Sequence, residues 1–400
     1  MSHSGAAARR GDAEPTGPAG PRPPGGPHLG AVTTGRPLPG LEDIDPVERV
    51  AVLRALPGVG DMVCAVPALR TLRQRFPGAR ITLVGLASSR WLLDAYPRYV
   101  DELLPIDGVP VLCPPPPDVD GVLGALAEAR RRRFDLAVQL HGDGSLSNQL
   151  ATLLGARTTL VHHPRGRPAP QGTVAVPYPD RGHEVARLLE LVDRLGLVGD
   201  ARLEPPEAAA RAPGTALVRA TIRVPPAGYA VVHPGASHPT RRWPVAGFAE
   251  VARWLLDHDM AVVATGTDGE RDVVGELCRR APGVTDLCGR TGVNELAGVL
   301  TPARLVVSND TGVAHLAAAV GAPSVVTFLG DDVGRWAPLD SVRHRVVPLA
   351  HRPEHSPPAA GPTGAVPTPS GPCPGLLDSE VPAVLDAVAA QLALFPADRA

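Results

Sequence analysis

The sequence predicts an α/β fold of two parallel-sheet domains that face each other across a cleft. Short apolar segments alternate with segments of helical period along most of the 400 residues. This alternation stops near residue 205 and restarts near residue 229, which gives two consecutive strand–helix series. A chain of this length can form two domains of ordinary size.

The first series predicts the domain at 48–205. RVAVLRAL, residues 49–56, is apolar and ends in Pro-Gly, which is typical of a buried strand. A helix over CAVPALRTLRQRF and the strand RITLVG (80–85) follow. DELLPI and DLAVQLH (135–141) predict two more strands, and HEVARLLELVDRLGL (183–197) predicts the amphipathic helix that closes this half.

The second series predicts a domain at 215–350 and a C-terminal helix. YAVVHPGAS, AVVATGT and RLVVSND each predict a strand that a helix follows, and PSVVTFLG (323–330) adds another strand. DSEVPAVLDAVAAQLALF predicts the last helix, within 376–396. Two Pro-rich stretches flank these elements: residues 1–47, which we expect to be a disordered tail, and 351–375, which we expect to be a loop.

Composition excludes several classes of function. The formal net charge of −2 gives no electrostatic basis for nucleic-acid binding. The sequence contains no lysine, so Schiff-base and P-loop lysine chemistry is excluded. Five cysteines without a CxxC pattern indicate a reduced cytoplasmic protein rather than a disulfide framework or a zinc site. Neither a signal peptide nor an apolar run of about 20 residues is present, so we expect at most peripheral membrane contact.

The loop after the first strand resembles a dinucleotide-binding fingerprint but departs from it. Gly58 and Gly60 match the first two glycines of GxGxxG, whereas Val63 stands at the third. The second strand has no acidic residue at its end to hold a ribose, and Asp61 would compete with phosphate at the helix start. Two interpretations of Asp61 remain: a helix N-cap, or a general base facing the cleft.

The loops of the second half favour an anion site. In HPGASHPTRRWP, Ser237 is among the small residues after the strand, and Arg241 and Arg242 precede a helix start. Guanidinium groups beside a helix N-terminus suit phosphate, although surface packing of the arginines and Trp243 is an equal alternative.

The segment SNDTGVAHLAAAVGAP is the most informative. Asp310 could hold sugar hydroxyls, and Thr311 and Gly312 turn the chain into a helix whose amides can bind a diphosphate. His315 could reach the phosphates or the sugar, or be a core histidine. Glu270 could bind ribose hydroxyls or simply complement the helix dipole.

The remaining acidic and histidine pairs do not predict a metal site. Asp118 and Asp120 have DxD spacing but lie in a Pro-rich loop, which favours a solvated turn. We expect the LGDD segment (329–332) to be a loop after the last strand. The pair at 162–163 has no third ligand at a useful spacing. We therefore predict no metal and no other cofactor.

Together, these segments resemble glycosyltransferase family 9, the ADP-heptose:lipopolysaccharide heptosyltransferase family. The matching segments keep the family's order and spacing over about residues 49–350. They are GVGDMVCAVPALRTLRQRFPGARITLVG, DLAVQLHGDGSLSNQLATLLGAR, HPGASHPTRRWPVAGFAEVARWL, ATGTDGERD and VVSNDTGVAHLAAAVGAPSVVTFLG. The resemblance implies a GT-B fold and inverting, metal-independent transfer of a sugar, heptose or a related one, from an ADP-linked or other nucleotide-diphosphate donor.

The resemblance also implies roles for individual residues. Asp61 falls on the family's base, which activates the acceptor hydroxyl, and Glu270 falls on its ribose-binding glutamate. Arg241 stands where better-known members carry a lysine, and its bidentate fork should keep the phosphate contact. Asp310, Thr311, Gly312 and His315 match the family's D-T-G-x-x-H segment, with Asp310 on the donor sugar and backbone amides on the diphosphate.

Other functions stay open on the sequence. The acceptor could be a glycan, a lipid-linked sugar or a small molecule. A catalytically inactive nucleotide-sugar-binding protein and a GT-B-like nucleotide-sugar epimerase are the alternatives; the epimerase would need further acid and base groups in the cleft.

Overall fold

The computed structural model describes residues 41, 44–109, 118–207, 209, 213–221, 228–330, 332–350 and 376–396. The predicted tail lies outside these residues except for 41 and 44–47, and the predicted loop 351–375 lies wholly outside them. Within the described part of the chain, no helix is long and apolar enough to span a bilayer.

The first sheet has six parallel strands in the order β3-β2-β1-β4-β5-β6. Its strands are β1 (Arg49–Leu53), β2 (Arg80–Gly85), β3 (Glu102–Pro105), β4 (Leu136–Gln139), β5 (Thr158–His163) and β6 (Val174–Pro177). Helices cover both faces, so the central strand β1 is apolar and buried from Val50 onward, as parallel sheets require.

The second sheet repeats this arrangement, also with all strands parallel, in the order β12-β11-β10-β7-β8-β9. Its strands are β7 (Tyr229–His233), β8 (Ala261–Ala264), β9 (Thr285–Asp286), β10 (Leu305–Asn309), β11 (Ser324–Phe328) and β12 (His344–Pro348). Both sheets have the doubly wound order of dinucleotide-binding folds, which reverses direction between β1 and β4 and between β7 and β10. Ligands bind in such sheets at the carboxyl ends of the strands beside this reversal.

The α-helices connect the strands and cover the sheets. They are α1 (Val59–Arg75), α2 (Trp91–Ala95), α3 (Val119–Arg132), α4 (Ser147–Leu153), α5 (Glu184–Val192), α6 (Pro213–Thr221), α7 (Val245–Asp257), α8 (Arg271–Arg280), α9 (Val293–Leu300), α10 (Gly312–Val320), α11 (Val333–Trp336) and α12 (Leu376–Leu394). The last of them, α12, packs on α7 and on the second sheet.

Each sheet has a hydrophobic core on both faces. In the first half, one core lies between the sheet and helices α1 and α5, and it also buries Leu41 and Ile44 from the segment expected to be a tail. The second half has a core under α7, α8 and α12 and another under α9 and α10. Val63 of α1 belongs to this last core, so the two halves share a packed interface.

The two parallel sheets confirm the predicted fold class, but four strands escaped the sequence analysis. These are β5, β6, β9 and β12. The LGDD segment was expected to follow the last strand, and this expectation is wrong, because β12 comes after it. Strands β6, β9 and β12 are short or at sheet edges and keep partly exposed residues, so their apolar signal is weak. The helix predicted over 183–197 ends its α-helical part at Val192. The strand predicted over 229–237 ends at His233.

Candidate active site

The loop after β1 places Asp61 in the first turn of α1, facing a cavity. Gly58 is the residue before the helix, and no side chain caps the helix there. The Asp61 carboxylate folds back over Gly58, where an added Cβ would come within 2.2 Å of Oδ2. Asp61 is therefore the third helical residue and does not act as the N-cap. Burial raises the pKa of its carboxyl, although the nearby Arg54 guanidinium opposes this rise.

The two arginines before Trp243 have different surroundings. Arg242 donates two hydrogen bonds to the Ala236 carbonyl, at 3.0 and 2.7 Å, and so holds the loop. Trp243 is 1% exposed and donates from Nε1 to Glu380 on α12 at 2.9 Å. Arg241 is exposed and lines the cavity together with Ser237. The positions of Arg242 and Trp243 are thus explained by packing and hydrogen bonding, whereas the Arg241 side chain lines the cavity.

Glu270 is both a structural acid and a wall of the cavity. Its Oε2 accepts from the Thr267 amide at 2.8 Å, which is the side-chain half of a capping box, and from the Thr267 hydroxyl at 3.0 Å. His233 Nε2 lies 3.9 Å from the same oxygen. Oε1 is directed at Gly235, where an added Cβ would come within 2.1 Å. The two interpretations from the sequence are therefore compatible, because the capping contacts hold Glu270 in the cavity wall.

Asp310 stands between β10 and α10 at the carboxyl end of the second sheet. Its amide donates to the Thr327 carbonyl at 2.9 Å, which fixes the backbone of the turn. Burial raises the pKa of Asp310 to about 6, with Arg241 opposing the rise and Asp332 and Asp61 adding to it. Both Asp61 and Asp310 therefore face Arg241 across one cavity.

Helix α10 begins where the two halves touch most closely. An added Cβ on Gly312 would come within 2.9 Å of the Gly60 amide nitrogen, and one on Gly60 within 2.6 Å of His315 Cδ2. Gly312, expected to let the backbone approach a ligand, lines the cavity and also lies against α1, where the absence of side chains lets the two helix starts meet. His315 is 3% exposed, contacts Cys64 Sγ through Nδ1 at 3.5 Å, and burial lowers its pKa to about 4.

All ten residues that the sequence analysis selected line one cavity of about 420 Å³. They are Gly58, Gly60, Asp61, Ser237, Arg241, Glu270, Asp310, Thr311, Gly312 and His315. The cavity lies at the carboxyl ends of β1, β7, β8 and β10, beside the reversal of strand order in each sheet.

Sequence reasoning missed other residues at this site. Thr265, Thr291 and Trp336 also line the cavity, and Arg54 and Glu184 lie behind Asp61. The sequence could have indicated Arg54, because a charged residue that directly follows a buried strand needs polar partners. Trp336 lies on α11, a helix of four residues that the sequence analysis did not predict.

Asp118 and Asp120 are exposed, as expected, but they lie at the start of α3 and not in a loop, with Asp120 in the first turn of the helix. Asp118 caps α3 by accepting a hydrogen bond from the Gly121 amide at 2.9 Å. In the described residues, no group of three or more His, Cys, Asp or Glu side chains is arranged to hold a metal ion.

Comparison with known proteins identifies the family. The sequence profile of glycosyltransferase family 9 (heptosyltransferase) matches residues 127–357, more than half of the chain. The chain belongs to glycosyltransferase family 9, a family of enzymes. Among curated relatives of this family, the chain is 26% identical over 305 residues to lipopolysaccharide heptosyltransferase 3 of Escherichia coli, covering 70% of this chain and 83% of the relative. It is 32% identical to lipooligosaccharide heptosyltransferase 2 of Haemophilus influenzae over 101 residues, covering 24% of this chain.

The alignments to the first three curated relatives span only 33%, 29% and 35% of those proteins. Solved structures of family 9 cover more of the chain. A family 9 glycosyl transferase from Veillonella parvula matches with a TM-score of 0.67 and 18% identity, covering 86% of this chain and 97% of that one. E. coli ADP-heptose LPS heptosyltransferase II matches with a TM-score of 0.63 and 21% identity, covering 86% and 98%. These structural matches confirm the two-domain GT-B fold.

Proposed function

We propose that this protein transfers a sugar, heptose or a close relative, from an ADP-linked donor to a hydroxyl group of an acceptor, with inversion at the sugar carbon. The observation that carries the proposal is the convergence of Asp61, Arg241 and Asp310 on one cavity between the two domains. Asp61 comes from the first domain and the other two from the second, which suits a reaction between an acceptor and a nucleotide donor.

Asp61 is the general base of this proposal. Its carboxylate lies in the cavity wall, and burial raises its pKa above the usual range of carboxyl groups. A base is most effective when its pKa approaches the working pH, so this environment makes Asp61 a better proton acceptor than an exposed aspartate. Because residue 58 is glycine, the Asp61 carboxylate can occupy the space that a Cβ would otherwise take.

The second domain stabilises the leaving group. Arg241 supplies a guanidinium that can bind phosphate oxygens bidentately, and the first amides of α10 lie in the same cavity wall at Thr311 and Gly312. Glu270 binds the ribose hydroxyls of the donor, and Asp310 binds hydroxyls of the donor sugar. Positive potential from Arg241 and the helix start takes the place of a metal ion, so the transfer is metal-independent.

The proposed sugar transfer needs no reactant other than the donor and the acceptor. Asp61 takes the proton of the acceptor hydroxyl as its oxygen attacks the anomeric carbon of the donor sugar. The bond between that carbon and the diphosphate oxygen breaks on the opposite face, and the nucleoside diphosphate leaves with the electron pair. One in-line displacement inverts the configuration, so a single base and a stabilised leaving group suffice.

Relatives support the choice of donor. Two solved structures of an E. coli heptosyltransferase with TM-scores of 0.55 and 0.52 are described as bound to ADP and to ADP-2-deoxy-2-fluoro heptose. We propose a glycan, lipid-linked sugar or small molecule as acceptor, and the cytoplasm as compartment. The three cysteines of the described residues, Cys64, Cys278 and Cys288, are free thiols, which suits a reducing compartment.

Binding of nucleoside diphosphates tests the donor site. We expect ADP to stabilise the protein against thermal unfolding more than GDP, UDP or CDP, equally with EDTA and with Mg²⁺. Arg241→Ala should weaken ADP binding about 10- to 100-fold, as for loss of a charge-assisted hydrogen bond. Arg253→Ala is the matched control, because Arg253 is an exposed arginine of the same domain that pairs with Glu250. Equal ADP affinity in the Arg241 and Arg253 variants would contradict the assignment.

A further inference from the structure

A buried arginine connects Asp61 to the first sheet. Arg54 is 0% exposed and follows β1 directly. Its guanidinium donates to the Asp61 carbonyl oxygen from Nε at 3.0 Å and from Nη2 at 2.7 Å, and Nη1 donates to the Leu140 carbonyl. Arg54 Nη2 also lies 3.9 Å from Asp61 Oδ1. The first turn of α1, and therefore the direction of the Asp61 carboxylate, depends on where Arg54 is held.

Glu184 holds Arg54 from the other side. It is the first residue of α5 and is 2% exposed. Glu184 Oε1 lies 3.5 Å from Arg54 Nη2, whereas Oε2 accepts from Arg335 Nε at 3.0 Å and lies 2.9 Å from Arg335 Nη2. Arg335 belongs to α11, which lies between β11 and β12 of the second sheet, so this carboxylate pairs with one arginine from each half of the protein.

A second contact ties the same two segments together. His183 Nδ1 accepts the Val185 amide at 3.2 Å, so Nε2 carries the proton and donates to the Ala337 carbonyl at 2.9 Å. Between these contacts stands Trp336, which lines the cavity and meets the His315 ring edge-on at 6.0 Å between centroids. The α5–α11 contact therefore adjoins the proposed donor site.

Stability alone does not account for this arrangement. The cost of desolvating a buried ion pair offsets most of its Coulombic gain, and an apolar replacement of similar volume is often neutral. What buried ion pairs can supply is a defined geometry, because each charge must keep its partner. Here the geometry that they define is that of the proposed base.

We propose that Glu184 is a positioning residue for Asp61, holding Arg54 against the first turn of α1 and coupling that turn, through Arg335, to the donor domain. This inference rests on the proposed role of Asp61 as the base. Glu184 and Arg335 do not line the cavity, so they act on the reaction through Arg54 and Asp61 and not by touching the donor.

The charges of Glu184 and Arg335 should shift the pKa of Asp61 in opposite directions. Glu184 raises the pKa of Asp61, whereas Arg335 lowers it. Neutralising Glu184 should therefore lower the pKa of Asp61, and neutralising Arg335 should raise it. The other charged or titratable groups that face Asp61 from neighbouring elements are left unchanged in both variants; they are Arg54, Cys64, Arg241, Asp310 and His315.

The first readout is the titration of Asp61 itself, which needs no known acceptor; the second is turnover with a pool of acceptors. The full chain, labelled with ¹³C at aspartate carboxyls, is titrated by NMR, with Asp61→Asn used to assign the signal. The variants are Glu184→Gln and Arg335→Met. Glu190→Gln is the matched control, since Glu190 lies on the same helix and pairs with Arg194 at the surface.

We expect the Asp61 titration to move to lower pH in Glu184→Gln, to higher pH in Arg335→Met, and to stay in place in Glu190→Gln. Turnover of ADP-heptose should fall about 10- to 100-fold in the first two variants, the size expected for a displaced reacting group, while ADP affinity stays within about twofold. Unmoved titrations, or movement in the same direction in both variants, would overturn the inference. If the titrations move as expected but Asp61→Asn retains full turnover, the proposed function fails and the positioning of Asp61 stands.

Discussion

Two carboxylates, Asp61 and Asp310, share the cavity under similar constraints. Both are partly buried, and burial raises the pKa of each, while Arg241 opposes the rise in both. Asp310 accepts no hydrogen bond from the described residues in its surroundings, so little else stabilises its charged form. We interpret Asp61 and Asp310 as charges placed for a ligand, at some cost to the stability of the unliganded protein.

Removing the Asp310 charge should stabilise the protein at neutral pH. The pKa of Asp310 is about 6 in the folded state, above its ordinary value, so the folded carboxylate becomes unfavourable as the pH rises through that range. Asp310→Asn should therefore raise the free energy of unfolding by about 1–3 kcal/mol at pH 7.5 and leave it unchanged near pH 4. Thermal unfolding at the two pH values measures the difference.

The control for this prediction is Asp272→Asn. Asp272 is an exposed acid in the first turn of α8, where a negative charge is favourable. Its replacement should lower the free energy of unfolding at pH 7.5 by less than about 1 kcal/mol. A loss of stability at pH 7.5 in Asp310→Asn would contradict the account of its environment.

At the scale of elements, the helices α1 and α10 bring the two halves of the site together. Their first turns meet at Gly60 and Gly312, and His315 reaches from α10 toward Gly60 and Cys64. Glycine is required here by close approach, since neither residue has the positive φ that favours glycine elsewhere in the chain. The sequence predicted a ligand contact for Gly312 but not this contact between domains, and both glycines line the cavity as well.

Gly312→Ala should weaken the contact between the halves. Its Cβ would lie 2.9 Å from both the Gly60 nitrogen and Val59 Cβ, so α1 or α10 must move. We expect a loss of about 1–3 kcal/mol in the free energy of unfolding and reduced ADP-heptose turnover.

Gly275→Ala provides the comparison within the same domain. An added Cβ there meets only Arg279 Nη1, at 3.6 Å, so the helix propensity of alanine should dominate and stabilise by up to about 1 kcal/mol. Gly312→Ala with the stability and turnover of the unchanged protein would show that the helix starts do not need this close approach.

At the scale of the whole molecule, the strand–helix alternation was sufficient to predict two parallel sheets, because buried parallel strands have apolar runs that are visible in the sequence. The site residues followed from loops at strand ends, since carboxyl ends of neighbouring strands meet at one edge of a sheet. Glu184 and Arg335 could not be predicted in this way. They are 151 residues apart, and only the packing of the two domains brings them together. The edge strands β6, β9 and β12 were missed because exposed residues interrupt their apolar pattern.

The most direct test of the central claim compares Asp61→Asn with the unchanged protein in two assays, ADP binding and transfer from ADP-heptose to a pool of glycan, glycolipid and small-molecule acceptors. Loss of a general base without loss of the donor site predicts ADP affinity within about twofold and turnover reduced by about two to four orders of magnitude. Equal turnover in the two proteins would contradict the role of Asp61. ADP binding without turnover in the unchanged protein would instead favour an inactive nucleotide-sugar-binding protein.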